Sequence, residues 1–423
     1  MIDPTDLLTR PDFYEKASKD KGYDIDFAGI IAQLEEKKKL QQELEQKRAE
    51  LNVITDAIKT EGPSAERIAG AKTVKEVVKD LESRVEVMEL EIAKVLPSIP
   101  NPAFADVPVG KGEEGNRVLR EVGDKPVFDF ETRGHLEIGT DLGILDFEAG
   151  AKVSGSQFYF LKGAAVRLEY ALIQYGLEKL QEKGYELVQT PDLARSRYYL
   201  GTGYTPKGDE AQIYEIKDQD LGLIATAEVT MAGYHADDVF ALGDLPKKYA
   251  AISHCFRQEG GAYGKYSKGL YRVHQFTKLE MFIYCTQEES AKYHAELLQI
   301  EEEIVQELGI PYRVLEMGTG DLGAIAARKY DLEAWMPGRG DYGEITSTSN
   351  CTDFQARNLN IRYKATDGKT KYAHMLNGTA VVLSRIPIAI MENYQQADGS
   401  VVVPEVLRKY MGTDKIVKGR GVN

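Results

Sequence analysis

The sequence predicts an α+β protein: an N-terminal antiparallel two-helix coiled-coil arm, then a larger unit built on a mostly antiparallel β-sheet flanked by helices. Three observations carry this. Apolar residues keep a heptad spacing through about 28–96, with a single interruption. Pro97, Pro100, Pro102 and Pro108 then follow within twelve residues and forbid regular structure. Beyond them, short β-rich runs are joined mainly by turn-rich loops, not by regular crossover helices. Length and composition agree, because 423 residues exceed what one core organises, and 43% hydrophobic with 28% charged residues is a globular balance. The expected division is an N-terminal domain over 1–110, with its arm at about 28–96, and a second domain over 111–423.

In chain order, the first twenty residues include Asp3 and Asp6 and no apolar stretch, so no secretory signal is expected. Leu40, Leu44, Leu51, Ile54 and Ile58 follow a 4,3,4,3,4 spacing, with Lys47 in one slot. Gly62-Pro63 should break that helix, and Ser64 is suited to cap the next. The spacing returns at Val74, Val78, Leu81, Val85, Met88, Ile92 and Val95. At about 1.5 Å per residue, each limb of about 33 residues would span roughly 50 Å. Between Asp26 and Leu96 stand 12 Lys/Arg against 15 Asp/Glu, a net of −3, so the arm is no general electrostatic adhesive. Periodicity alone fits a dimerisation rod as well as a binding arm. Past the linker, helices are predicted at 162–183, 287–308 and 386–396. Strands are predicted at 185–190, 222–226, 248–254, 279–285, 311–316, 342–347 and 378–383.

Several function classes are disfavoured. No run of about 18 apolar residues occurs, so no membrane partner is expected. A formal charge of −14 rules out a generally basic coat and any broad affinity for DNA, while leaving room for a specific nucleic acid held by local basic patches. Cys255, Cys285 and Cys351 form no CxxC pair, which points to a reducing compartment and to no zinc. The six histidines include no HExxH pair and read as structural or surface groups. Gly318, Gly320 and Gly323 satisfy G-x-G-x-x-G, but without a surrounding βαβ series a dinucleotide fold is not expected. Gly368-Lys369-Thr370 resembles the end of a P-loop, yet Tyr363 stands where that motif needs its first glycine.

Three stretches carry chemistry. Phe256-Arg257-Gln258-Glu259, a glycine-rich segment, and Arg272, Val273, Phe276, Lys278 and Glu280 form a hairpin suited to an anionic, aromatic ligand. Its arginines would hold phosphates bidentately, and Phe276 offers a face for a base. Glu344-Ile345-Thr346-Ser347 brings a carboxylate and a hydroxyl close enough along one strand to hold Mg²⁺. The run from Asn377-Gly378-Thr379 ends in Arg385 at a helix start. Taken singly, each arginine fits a surface ion pair as well.

Together these stretches resemble the class II aminoacyl-tRNA synthetases, and seryl-tRNA synthetases closely. Residues 256–280 look like motif 2, the helix ending at Lys183-Gly184 with the strand to Pro191 like motif 1, and 376–385 like motif 3. Ile224–Glu228 resembles the serine-binding TAE loop; 344–347, 99–101, 152–163 and 392–412 are similarly characteristic, so the likeness covers essentially the whole chain. The resemblance implies that Arg257 binds the α-phosphate of ATP, Glu259 reads the adenine amino group beside Gln258, Phe276 stacks on adenine near Val273, and Arg385 clamps the γ-phosphate. It places Glu344 and Ser347 on Mg²⁺ and ATP, with Ile345 and Thr346 in the same ATP strand. Thr226, Ala227, Glu228, Glu280 and Thr379 would line the serine pocket, with Arg272 near the carboxylate and phosphates. Arg257, Arg385 and Glu344 would be the catalytic set.

The implied protein is a cytoplasmic homodimer acting on L-serine, ATP and tRNA(Ser), with tRNA(Sec) left open. Lys37, Lys47, Arg48, Lys72, Lys75 and Lys79 are the arm's candidate contacts to RNA. Two positions depart from the pattern: Ile386-Pro387 follows Arg385 where relatives have Thr-Leu or Thr-Met, and Ala225 replaces a usual proline. Pro387 is tolerated only in a first helical turn, so the helix should start near Arg385. The rival readings are a carrier-protein ligase, an inactive homologue and a Rossmann oxidoreductase. The intact phosphate arginines and the long arm count against the first two.

Overall fold

The computed structural model describes residues 1–204, 213–259 and 269–419, so the hairpin's glycine-rich segment 260–268 lies outside the described residues. The chain divides into two compact units, Met1–Pro102 and Ala103–Asn423.

The first unit opens with α1 (Pro4–Thr9) and α2 (Pro11–Asp20), each with proline in its first turn, where a missing N–H costs nothing. The long helices α3 (Phe27–Glu61) and α4 (Ala65–Val95) follow. Asp26 caps α3 by accepting from the Gly29 N–H at 2.9 Å, and Ser64 Oγ caps α4 by accepting from Arg67 N–H at 3.1 Å. Between them Gly62 takes φ 86°, a backbone state that resists any side chain. Leu40 and Leu44 pack against Val74, Val78, Leu81 and Val85, while Leu51 and Ile54 are only half-buried. The seam is tightest away from the 62–64 turn and loosens towards it. Ion pairs from Lys37 to Glu89 (2.8 Å) and Arg48 to Glu82 (2.7 Å) cross between the helices and mark the antiparallel register. These exposed pairs are worth about 1 kcal/mol at most. The apolar seam, at about 1.5–3 kcal/mol for each fully buried large side chain, holds the arm.

The second unit centres on an eight-stranded sheet. Its strands are β1 (Arg117–Val122), β2 (Glu186–Gln189), β3 (Lys247–Phe256), β4 (Gln275–Cys285), β5 (Tyr312–Glu316), β6 (Arg328–Met336), β7 (Asp341–Asn350) and β8 (His374–Val382). They lie in the order β1-β5-β6-β7-β8-β4-β3-β2, and every pair is antiparallel except β2–β3. The helices that matter below are α5 (His135–Asp141), α6 (Ala164–Glu182), α7 (Ala227–Tyr234), α8 (Ser290–Glu307) and α9 (Ile386–Asn393). Apolar residues of α6, α8 and α9 share one core with inward residues of the sheet. Pro387 sits in the first turn of α9, as its missing N–H demands.

The predicted strand 222–226 is in fact only Gly222–Leu223, because Thr226 already caps α7, its Oγ1 accepting from the Glu228 N–H at 3.3 Å. Two sheet strands escape a pattern search. Exposed β1 is an edge strand rich in charge, and β6 carries Arg328, Lys329, Asp331 and Glu333 among its apolar residues. The G-x-G-x-x-G stretch is a loop between β5 and β6, with no helix after it. A Cβ on Gly318 would stand 2.5 Å from the Gly115 carbonyl oxygen, and one on Gly320 2.4 Å from that of Gly110. These glycines permit backbone to meet backbone, which needs no phosphate. Gly368-Lys369-Thr370 belongs to a tight hairpin joining short strands at Arg362–Lys364 and Thr370–Tyr372.

Two irregularities of register set up the site. Leu332 pairs with Thr346 but Glu333 with Glu344, so Ile345 is an extra residue in β7. Leu279 pairs with Val381 but Glu280 with Thr379, so Ala380 is extra in β8. Such bulges bend a strand and re-aim its side chains.

Candidate active site

A cavity of about 360 Å³ opens over the sheet where β3, β4, β7 and β8 meet. At one end, carboxylates converge with polar neighbours. Glu280 of β4 accepts a hydrogen bond from Thr379 Oγ1 at 3.2 Å and an ion pair from Lys278 Nζ at 2.6 Å, all three residues being buried. The bulge at Ala380 is what sets Thr379 opposite Glu280. Glu228, in the first turn of α7, accepts from Gln355 Nε2 at 2.7 Å and from the Tyr204 hydroxyl at 3.0 Å. Burial, and then the nearby Glu280 carboxylate, push the Glu228 carboxyl up against the opposing pull of Gln355, Lys278 and Tyr204.

At the other end, positive charge gathers. The Arg257 guanidinium lies 5.2 Å over the Phe276 ring, and Arg272 pairs with Glu259 at 2.7 Å. Glu259 holds a left-handed backbone (φ 51°), which costs on the order of 1–2 kcal/mol for a residue with a Cβ. Arg385, directly before α9, approaches Glu344 Oε1 at 3.0 Å and donates to the Glu344 carbonyl at 3.2 Å. Burial alone would raise the Glu344 carboxyl. Arg385, then Lys329 and Arg257, hold it below the ordinary carboxylate range, so it is ionised. Residues three apart on a regular strand face opposite ways, yet the bulge at Ile345 lets both Glu344 and Ser347 line the cavity. Asp331 stands across from Ser347 in β6, its carboxyl raised by burial despite Lys329 at 3.4 Å.

The cavity thus gathers Arg257, Glu259, Arg272, Val273, Phe276, Glu228, Glu280, Glu344, Ile345, Thr346, Ser347, Thr379 and Arg385 from the sequence-derived set. Three others do not line it. Gln258 donates its amide to the Ile213 carbonyl at 2.7 Å, Thr226 caps α7, and Ala227 is packed into a hydrophobic cluster. They support the walls that carry Glu259 and Glu228. Sequence reasoning missed Tyr204, Tyr271, Lys329 and Asn377 as lining residues. Lys329 lies in a strand whose own charge hid it, and only the β6–β7 register turns it inward.

An antiparallel sheet flanked by helices, with a cleft pairing buried carboxylates with phosphate-type arginines, is the architecture of the class II aminoacyl-tRNA synthetases. Residues 213–394 match the tRNA synthetase class II core domain (G, H, P, S and T), and residues 1–103 match the seryl-tRNA synthetase N-terminal domain. A serine–tRNA ligase of Rubrobacter xylanophilus is 47% identical over 423 residues, covering 99% of this chain and 100% of the relative. One from Treponema denticola is 53% identical over 347 residues, covering 82% of each. Among solved structures, a seryl-tRNA synthetase from Pyrococcus horikoshii complexed with ATP superimposes with a TM-score of 0.92 at 38% identity, covering 99% of this chain and 100% of that one. A cytoplasmic serine–tRNA ligase from Naegleria fowleri in complex with AMP gives 0.84 at 33% identity, covering 97% and 96%. The chain belongs to the seryl-tRNA synthetase family, as its motifs implied.

Proposed function

We propose that this protein activates L-serine with ATP and passes the seryl group to the 3′ end of tRNA(Ser). The single observation that carries this is the two-ended cavity: buried Glu228 and Glu280 with Thr379 at one end, and Arg257, Phe276 and Arg385 at the other. The carboxylates would take serine's ammonium, and Thr379 with its neighbours its hydroxyl. Arg257 would take the α-phosphate, Arg385 the γ-phosphate, Glu259 the adenine amino group, and Phe276 with Val273 the base. A serine carboxylate oxygen then attacks the α-phosphorus, a P–O bond to the β-phosphate breaks, and pyrophosphate leaves with the electron pair. A ribose hydroxyl of the tRNA next attacks the seryl carbonyl carbon, and AMP departs. No side chain becomes a nucleophile; positioning and fixed charge do the work.

Among the described residues no group of three or more His, Cys, Asp or Glu could cage a metal ion. One carboxylate and one hydroxyl, Glu344 and Ser347, suit Mg²⁺, which binds through few protein oxygens plus substrate phosphates. When bound, it would neutralise phosphate charge. Serine-dependent ATP–pyrophosphate exchange, followed by tRNA charging, tests the whole reading.

Exchange should favour serine over alanine by up to about 10⁴–10⁵, since a site built to bond a hydroxyl leaves buried groups unpaired without one. Equal exchange with alanine would end the serine assignment. The raised Glu228 carboxyl sets a pH dependence. Because the charged form must receive the ammonium, serine KM should rise as pH falls towards the elevated Glu228 pKa, starting above the ordinary carboxylate range. An identical acid limb in Glu228→Gln would assign the titration elsewhere.

We also place the protein in the cytoplasm, in keeping with a content of only three cysteines, all buried, and read it as a homodimer. Val166 and Tyr170 on α6 and Leu187 on β2 are exposed apolar residues on the elements that resemble motif 1. Sedimentation equilibrium should report two chains per particle; a fully active monomer would contradict it.

A further inference from the structure

The histidines carry no metal-type spacing, but one of them is wired to the phosphate end of the cavity. His135, the first residue of α5, is nearly buried, and Glu392 of α9 is 1% exposed. Glu392 Oε1 accepts from the His135 backbone N–H at 2.9 Å and lies 3.1 Å from its ring Nδ1, while Oε2 accepts from the Gly338 N–H at 3.0 Å. A carboxylate that already takes two backbone donors has only acceptors to offer, so Nδ1 carries the proton and Nε2 presents its lone pair. That lone pair accepts from the Leu270 N–H at 3.2 Å. The contact is close enough to dictate the neighbouring residue: a Cβ on Gly269 would stand 2.3 Å from Nε2, and Gly269 also takes φ 69°. The short turn Gly269–Tyr271 therefore hangs on the histidine.

What the turn carries is functional. Tyr271 follows Leu270, and its ring lies beneath the guanidiniums of Arg385 (4.9 Å) and Arg339 (4.8 Å). A Cβ on Gly343 would be 3.1 Å from the same ring, so Tyr271 also abuts the backbone beside Glu344. One continuous path runs from Glu392 through His135 and the Leu270 amide to Tyr271, and from there to Arg385 and the strand of Glu344.

We infer that His135, oriented by Glu392, is a positioning residue for ATP: it holds the 269–271 turn so that Tyr271 keeps Arg385 aimed at the nucleotide's phosphates. This rests on the reading of the arginine end as the ATP site. Its test uses the full chain with His135→Phe, which keeps a ring but offers no acceptor, and His135→Gln, whose amide oxygen can accept from the Leu270 N–H. ATP binding is measured by calorimetry, and KM values for ATP and serine are measured separately in pyrophosphate exchange. His135→Phe should weaken ATP by roughly tenfold, the scale of one lost hydrogen bond to a buried amide, with serine KM changed less than about twofold. His135→Gln should recover most of the loss. The inference is overturned if His135→Phe binds ATP like the wild type, if both KM values rise together, if His135→Gln is no better than His135→Phe, or if neither variant folds, the mark of a purely structural histidine. Wild-type protein that fails to bind ATP at all would instead overturn the ATP-site reading beneath it.

Discussion

Glu280→Ala will lower kcat/KM for serine activation by about 3–5 kcal/mol, the usual effect of removing one partner of a buried ion pair. Two effects add. The substrate ammonium loses a carboxylate, and Lys278, whose ammonium sits 2.6 Å from Glu280, becomes a buried cation without its partner. Thr379 also loses the acceptor of its hydroxyl, although it keeps its place in β8. ATP affinity should change little, because Arg257, Phe276 and Arg385 occupy the opposite end of the cavity. Glu280→Gln separates the two effects: it preserves an oxygen for Thr379 and for the lysine but carries no charge for the substrate. Initial-rate exchange kinetics read out the result. An unchanged kcat/KM for serine in the alanine variant would show that this carboxylate does not receive the substrate.

Removing the arm will separate the two half-reactions. The ion pair between Lys37 and Glu89 marks facing positions of α3 and α4, so a deletion of 38–88 closed by a short glycine linker cuts at a natural level. It leaves Phe27, Ile30 and Leu34 on one limb and Ile92 on the other, all buried, to seal the base. Serine-dependent exchange should persist within a few-fold, since every cavity residue lies beyond residue 200. Charging of tRNA(Ser) should be nearly abolished. The apolar seam is consumed between α3 and α4 of one chain, which weakens the case for a dimerisation rod. Lys37, Lys47 and Arg48 are committed to ion pairs within the arm. Lys72, Lys75 and Lys79 instead share one exposed face of α4 and have no ion pair among the described residues. Reversing those three charges should reduce charging while leaving exchange untouched, as expected when an RNA helix is gripped through its backbone. Loss of both activities, with monomers in sedimentation, would favour the rod; charging near wild type would end the tRNA-binding role.

Much of this molecule was determined by the sequence alone, wherever the deciding interaction is local. The heptad spacing, the Ser64 cap, the break at Gly62-Pro63 and the start of α9 at Ile386-Pro387 involve neighbours within a turn or two, and all stand as expected. The motif residues were likewise legible, because residue type alone says which groups can bind phosphate or an ammonium, although their surroundings set the protonation of Glu228 and Glu344. The tertiary structure decided which way those groups face. A period-2 strand places residues three apart on opposite sides, so that Glu344 and Ser347 share the cavity depends on one extra residue at Ile345, and the Glu280–Thr379 pair on another at Ala380. The bulge at Ala380 is settled by pairing with β4, about a hundred residues earlier; the bulge at Ile345 and the inward turn of Lys329 depend on the register of β6 against β7, and the approach of Tyr204 to Glu228 on packing. Distance along the chain also hid His135, whose partners lie at 270 and 392. The misleading Gly318 and Gly320 have a distant origin: they answer to the backbone at 110–115, some two hundred residues earlier, which no local pattern reveals.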